Sequence, residues 1–273
     1  METRKCIFCQ CEGEIFHTIE HIVPESLGNT EDILENAVCD KCQNYFGREI
    51  ENYVLSKTPF GFWRTLAGTP SKKRKQPTFN PTQKPSASGK TLDFHPYTDN
   101  GFIIHPMDGE STIEVEITDE AMLEDIMRGK KSSFKIVMTP KMIIMIGRFL
   151  GKMGIEYWCK EFRDDIFRKD FDALRIYVRN GTTKHIWPIF HGRLQENLLE
   201  WGKKNENEEE RILYQYHIFQ IDDLIFFSFD IGIEYYSIIL NMQYPDIELL
   251  KGSILPALAN NFGEMPEVLY YPL

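Results

Sequence analysis

The 273-residue sequence has no apolar run close to the roughly 18 residues that a membrane-spanning helix requires. Its polar start, METRK, lacks the apolar segment of a secretory signal peptide. The P-loop, GxGxxG and GxSxG motifs are missing, and there are no internal repeats. We therefore expect a soluble, cytoplasmic protein with no membrane partner and without the nucleotide or acyl-transfer chemistry of those motifs.

The sequence has fewer basic than acidic residues. The chain carries 31 Lys and Arg against 41 Asp and Glu, a formal net charge of −10. This balance disfavours a surface that attracts nucleic acid everywhere, although part of the acid is concentrated at Glu206 and residues 208–210. Binding to nucleic acid would need a local basic patch or a protein partner.

The strongest basic patch lies in residues 68–100, a segment rich in Pro, Ser, Thr and Lys. Such a composition buries too little apolar surface to offset its ordering entropy, so it predicts a linker or long surface loop. The patch consists of Lys72, Lys73, Arg74 and Lys75. It is either a solvated charge run or a set of phosphate contacts, each contributing about 1 kcal/mol or less.

Cysteine is also sparse, and four of the six cysteines form two C-x-x-C pairs. Each such turn places two thiolates within one edge of a tetrahedron, so two turns together predict a structural Zn²⁺ site. Cys11 is a competing ligand, but the repeated two-residue gap favours Cys9. Cys159 lies in an apolar helical pattern and is interpreted as a core thiol. The predicted zinc ligands are Cys6, Cys9, Cys39 and Cys42.

Between the two pairs stands the acid–histidine dipeptide Glu20-His21. A neutral imidazole has a suitable pKa for taking a proton from water near neutral pH. On a strand, the adjacent carboxylate points to the opposite face, where it can bind a hard cation without quenching the base. Residues 16–19 before the dipeptide predict such a strand. The residue types are those that phosphodiester hydrolysis requires.

Three stretches carry a family resemblance: residues 18–28, residues 36–42 and Phe46-Gly47. Together they resemble the zinc-stapled branch of the HNH endonucleases. In that family a short hairpin and one helix form a ββα-metal site, and the C-x-x-C pairs pin the base of the hairpin to the helix.

The resemblance implies roles for individual residues. His21 would be the general base, Glu20 a ligand of a catalytic Mg²⁺ or Mn²⁺, and Asn36 a brace for the loop that orients the base. The family has His or Asn directly after the last cysteine, whereas this chain has Gln43 followed by Asn44. Either residue is therefore a candidate for the ligand contributed by the helix.

His17 is a further candidate for contact with a substrate phosphate; the alternative is an outward-facing strand residue. The helix that carries Gln43 is predicted to start at Asp40, as the N-cap, and to end near Lys57. Thr139-Pro140 predicts the start of a long apolar helix that ends near Phe162.

The predicted fold class is α+β. We expect a small zinc-stapled ββα-metal domain in residues 1–67, a basic linker or loop in 68–100, and a larger α+β domain in 101–273 that binds substrate, a partner or a regulator. Its main feature is a long hairpin over residues 212–240, which turns at Asp222-Asp223. Residues 187–201 predict a short helical region.

The function implied by the resemblance is metal-dependent hydrolysis of nucleic acid, with DNA favoured, and a role in bacterial restriction or antiphage defence. Two alternatives remain open. One is the nuclease subunit of a larger complex, which the acidic charge favours because a partner would supply affinity for DNA. The other is a zinc-stabilised binding module without activity. A homodimer is also compatible with the sequence.

Overall fold

The fold is known from a computed structural model of the chain. It describes the following residues: 5–69, 79, 102–104, 115–117, 120–130, 139–163, 165–181, 187–194, 213–243, 250–262 and 266–269. Among them, no helix combines the length and the apolar character that crossing a membrane would require. The basic patch at 72–75 lies outside the described residues.

A ββα unit forms the N-terminal part. Strand β1 (Glu20–His21) pairs antiparallel with β2 (Ile33–Leu34), and helix α1 (Asp40–Phe46) follows. Because neighbouring side chains of a strand point to opposite faces, Glu20 is buried while His21 remains partly accessible.

The strand predicted at residues 16–19 is wrong, because the strand pairing begins only at Glu20. The carboxylate of Asp40 explains the difference. It accepts hydrogen bonds from the backbone N–H groups of His17 at 2.9 Å and Thr18 at 3.1 Å, and thereby occupies two donors that a strand would use. Asp40 is the first helical residue, and the N-cap is Cys39.

The predicted helix from Asp40 to Lys57 is present, with one irregular turn. After α1 the chain makes a π-helical turn (Gly47–Glu51) and continues as α2 (Asn52–Lys57). It stops at Thr58, whose side chain accepts a hydrogen bond from the N–H of Phe60 and so starts α3 (Pro59–Leu66).

Beyond this point a small two-stranded sheet and several helices follow in the described residues. Strand β3 (Phe102–Ile104) pairs antiparallel with β4 (Val115–Ile117). Helix α4 (Glu120–Met127) follows, then the long α5 (Pro140–Glu161) and α6 (Asp172–Asn180). The long helix confirms the predicted start and end, and its N-cap Thr139 accepts a hydrogen bond from the N–H of Met142 at 3.2 Å.

A five-stranded antiparallel sheet lies against α5. Its strands are β5 (Ile189–Arg193), β6 (Tyr214–Ile221), β7 (Leu224–Ile231), β8 (Glu234–Ile239) and β9 (Glu267–Leu269), in the spatial order β6-β7-β8-β5-β9. A π-helical turn (Leu250–Ile254) and helix α7 (Leu255–Phe262) precede β9. The α+β class is thus confirmed.

Two details of the sheet differ from the sequence prediction. The short helical region predicted at 187–201 is wrong where the structure describes it, because β5 pairs with β8 on one side and β9 on the other. A short apolar run does not distinguish a buried strand from a helix. The predicted hairpin turns at Asp222-Asp223 as expected, but its second arm divides at Gly232 into β7 and β8.

Gly232 is required at this division for two reasons. Its φ of +61° is one that other residues rarely adopt. A Cβ there would lie 2.2 Å from the ring of Trp63 in α3, so the indole packs directly on the turn.

One hydrophobic cluster joins the ββα unit to the rest of the described chain. Phe60 of α3 packs on Phe149 of α5 with ring centroids 5.5 Å apart, and on Tyr236 of β8 at 5.0 Å. Phe79, within the predicted linker, is also buried and packs on Phe62. The three-part domain division stays a prediction.

Candidate zinc and nuclease site

The four predicted zinc ligands come together. The sulfur atoms of Cys6, Cys9, Cys39 and Cys42 all lie within 4.8 Å of one another, and those of Cys9 and Cys39 are 3.7 Å apart. Zn–S bonds of about 2.3 Å in a tetrahedron require sulfur–sulfur distances of about 3.8 Å. This cysteine cluster therefore has the geometry and donor chemistry of a structural zinc site.

Local backbone geometry brings the two C-x-x-C turns together. The first turn closes through the Gln10 N–H, which donates to the Cys6 carbonyl at 2.9 Å. The Cys39 N–H, at the start of α1, points at the Cys6 sulfur from 3.4 Å. A hydrogen bond from Cys42 lowers the pKa of Cys6 to about 4, which favours a thiolate. Cys11 is exposed and points its thiol at the Cys9 carbonyl, outside the cluster.

Arg175 of α6 hydrogen-bonds to the backbone of the first C-x-x-C turn. Its Nε donates to the carbonyl oxygen of Ile7 at 2.5 Å, its Nη2 donates to that of Ile166 at 2.5 Å, and Nη1 pairs with Asp172. The side chain is almost fully buried. Sequence reasoning missed this role, since Arg175 lies in an amphipathic helix remote in sequence from the cysteines.

Glu20 points into the interior. Its Oε1 is 2.7 Å from the Nζ of Lys152 in α5, and its Oε2 is buried without a hydrogen-bond partner. Burial raises the pKa of this carboxyl group, although the ammonium of Lys152 opposes the shift.

Lys152 is completely buried and contacts two more carboxylates, Glu51 at 3.1 Å and Glu156 at 2.9 Å. Burial alone would lower the pKa of Lys152, but the carboxylates outweigh it and raise the pKa well above its usual value. Burial likewise holds the pKa of Glu156 well above the normal range. Sequence reasoning missed Lys152; the available signal was a lysine within the predicted apolar helix.

His21 lies on the other face of β1. Its Nε2 is 3.0 Å from Oε1 of Glu25, and its Nδ1 is buried without a hydrogen-bond partner. Glu25, in a short 3₁₀ turn, thus orients the ring through Nε2 and leaves Nδ1 as the nitrogen without a partner.

Asn36 follows β2 in a left-handed conformation with φ +56°, which asparagine tolerates better than most residues. The loop between β1 and β2 is braced by a different residue, the buried Asn29. Its amide donates to the carbonyls of Val23 at 2.7 Å and Asp32 at 3.0 Å. The role predicted for Asn36 stays a prediction.

The two candidate helix ligands differ in environment. The Nε2 of Gln43 donates to the carbonyl of Ile19 at 2.7 Å, next to Glu20, and its Oε1 is buried without a partner. Asn44 is exposed to solvent. Glu20 and Gln43 thus each keep one unpartnered oxygen, the hard donor type that Mg²⁺ and Mn²⁺ prefer. In donor chemistry, these two side chains suit a divalent cation.

His17 is 81% exposed, and its Nδ1 is 3.6 Å from Asp40. Hydrogen bonds from Thr18 lower the pKa of Asp40, whose carboxylate holds this loop against the start of α1. The role of His17 in contacting a substrate phosphate stays a prediction.

No curated protein and no solved structure matches the chain. A family model does match part of it. Residues 6–58, which contain the cysteine cluster, β1, β2 and α1, match the model of the HNH endonuclease family, and the resemblance seen in the sequence is confirmed for this segment.

Proposed function

We propose that the protein is a metal-dependent endonuclease that hydrolyses phosphodiester bonds of nucleic acid. The observation that carries the proposal is that Glu20 and Gln43 each keep one buried oxygen without a hydrogen-bond partner, while Glu25 orients the imidazole of His21. A buried polar atom without a partner is costly, and a ligand that satisfies it recovers that cost.

In this proposal Nδ1 of His21 removes a proton from the attacking water, while Glu25 holds the ring through Nε2. Glu20 and Gln43 would hold the catalytic Mg²⁺ or Mn²⁺, which would supply positive charge to the phosphate and the leaving oxygen. The four cysteines would hold a structural Zn²⁺, and since they lie on the N-terminal turn and at the start of α1, it would join these two segments.

The substrate is proposed to be DNA. His17 and the basic patch at residues 72–75 would contact phosphates, and the net charge of −10 favours a protein partner that adds affinity. A role in restriction or antiphage defence, a cytoplasmic location and a homodimer stay predictions of the sequence.

Incubation of the purified protein with supercoiled plasmid, and separately with single-stranded RNA, tests the proposal. We expect nicking or linearisation of the plasmid with Mg²⁺ or Mn²⁺ and none with EDTA. Zinc content measured before and after the EDTA step separates loss of the catalytic metal from loss of zinc. Plasmid that stays intact under all metal conditions, with zinc bound, would favour the inactive binding module.

A further inference from the structure

We propose that Lys152 is a positioning residue of the nuclease site: its ammonium holds Oε1 of Glu20 so that Oε2 is presented to the catalytic cation. The inference rests on the proposed function. It adds to the site a residue that lies outside the matched segment, residues 6–58.

The geometry supports this role. Lys152 lies in the middle of α5 and has no exposed surface. Its Nζ reaches Glu20 of β1 at 2.7 Å, Glu51 at the end of the π-helical turn at 3.1 Å, and Glu156 one turn along its own helix at 2.9 Å. These contacts come from three separate elements, so the ammonium fixes the carboxylate of Glu20 relative to α5 and to the helix that carries Gln43.

Stability alone gives little reason for this cluster. Removing a lysine and a carboxylate from water costs several kcal/mol per ion, and replacing such a pair by apolar residues is often neutral or stabilising. The positions around Lys152 in α5 are filled by apolar side chains, among them Phe149 and Met153. A buried charge cluster that touches a predicted metal ligand is therefore better explained by the orientation of that ligand.

The two carboxylate oxygens of Glu20 have different environments. One of its oxygens is engaged by Lys152, and the other is buried and unpartnered. A carboxylate held through one oxygen keeps a single orientation, which lowers the entropy lost when the other oxygen binds a cation.

The test is a double-mutant cycle in which the dissociation constant for Mn²⁺ is compared among variants. Electron paramagnetic resonance measures the concentration of free Mn²⁺ in each titration. Lys152→Gln combined with Glu156→Gln removes one positive and one negative charge, so the net charge of the cluster is unchanged and its orienting effect is lost. We expect the dissociation constant for Mn²⁺ to rise at least threefold in this double variant. In a Glu20→Gln background the same pair of changes should have no effect.

The matched control is Lys160→Gln with Asp32→Asn, which removes a half-buried ion pair between the same helix and the loop of the ββα unit while leaving a side-chain oxygen at position 32 able to accept from Tyr216. This variant should bind Mn²⁺ like the wild type. Zinc content and melting temperature identify variants that fail to fold. If the double variant fails to fold, the single variant Lys152→Arg is used in its place. A planar guanidinium cannot reproduce the contacts of a compact ammonium.

Three results would overturn the inference: an unchanged dissociation constant in the double variant, a rise that persists without the Glu20 carboxylate, or no binding of Mn²⁺ by the wild type. Plasmid cleavage is measured separately. A wild type that binds Mn²⁺ and shows the expected cycle but cleaves no nucleic acid would refute the proposed activity and leave the positioning role of Lys152 supported.

Discussion

Arg175 Nε donates to the carbonyl oxygen of Ile7 at 2.5 Å, across 168 positions of sequence. A helix of the C-terminal part thus fixes the backbone of a turn that carries two zinc ligands. Arg175→Met should leave the buried carbonyls of Ile7 and Ile166 unpaired and lower the free energy of unfolding by about 2–4 kcal/mol. Urea denaturation measures this, and zinc should be lost faster to a chelator.

The control for that prediction is Arg168→Met. Arg168 is exposed and pairs with Asp165 and Asp170 at the surface. Surface ion pairs contribute about 1 kcal/mol or less. Equal stability losses in the two arginine variants would contradict the anchoring role of Arg175.

Zinc should be bound at one ion per chain. Cys39→Ser should abolish it and make the N-terminal part sensitive to protease, because metal binding supplies folding free energy to a small ligand-bearing unit. Cys11→Ser should retain zinc, since this thiol lies outside the cluster. The zinc content is measured by elemental analysis of protein purified without chelators. A wild type that contains no zinc and still resists protease would refute the prediction of a structural zinc ion.

His21→Ala should reduce plasmid cleavage by about 10² to 10⁴-fold, the range for loss of a general base. Binding to the same DNA should change little, because only the proton acceptor is removed. His217→Ala is the matched control, an exposed histidine on β6. Cleavage by His21→Ala at the wild-type rate would rule out its assignment as the base.

Gln43→Ala should weaken the binding of the catalytic cation. The Mn²⁺ or Mg²⁺ concentration needed for half-maximal cleavage should therefore rise about tenfold or more. Its neighbour Asn44→Ala should have little effect, since Asn44 faces solvent. Because the longer amide arm is a poor match for a rigid octahedral ion, Mn²⁺ should support faster cleavage than Mg²⁺. The opposite ranking of the two variants would assign the ligand to Asn44.

Asp230→Asn should stabilise the protein at pH 7. Burial raises the pKa of this carboxyl group, and its Oδ1 has no partner. The folded state therefore binds the proton more tightly than the unfolded state, so stability falls as pH rises above about 4. The amide mimics the protonated form, and we expect a gain of about 1 kcal/mol at pH 7 that shrinks as the pH falls toward about 4. Asp223→Asn, in an exposed turn, serves as the control in thermal melts.

The sequence was sufficient for the parts of the site that depend on neighbours in the chain. The C-x-x-C spacing predicted the cysteine cluster, and alternation along a strand predicted that Glu20 and His21 face opposite sides. The contacts of Lys152 and Arg175 were not predictable in this way, because their partners in the ββα unit lie more than a hundred positions away. The strand at 189–193 was missed because its identity depends on pairing with both β8 and β9.

The shared core limits how far the nuclease segment can be transplanted. A graft of residues 1–67 into another protein would leave Glu20 without its ammonium and the ring of Phe60 without Phe149 and Tyr236. An engineer who wants a portable cleavage module would have to bring α5 along, so that Lys152 still pairs with Glu20 and Phe149 still packs on Phe60. Fusion partners are therefore better attached to the intact chain than exchanged for its C-terminal part.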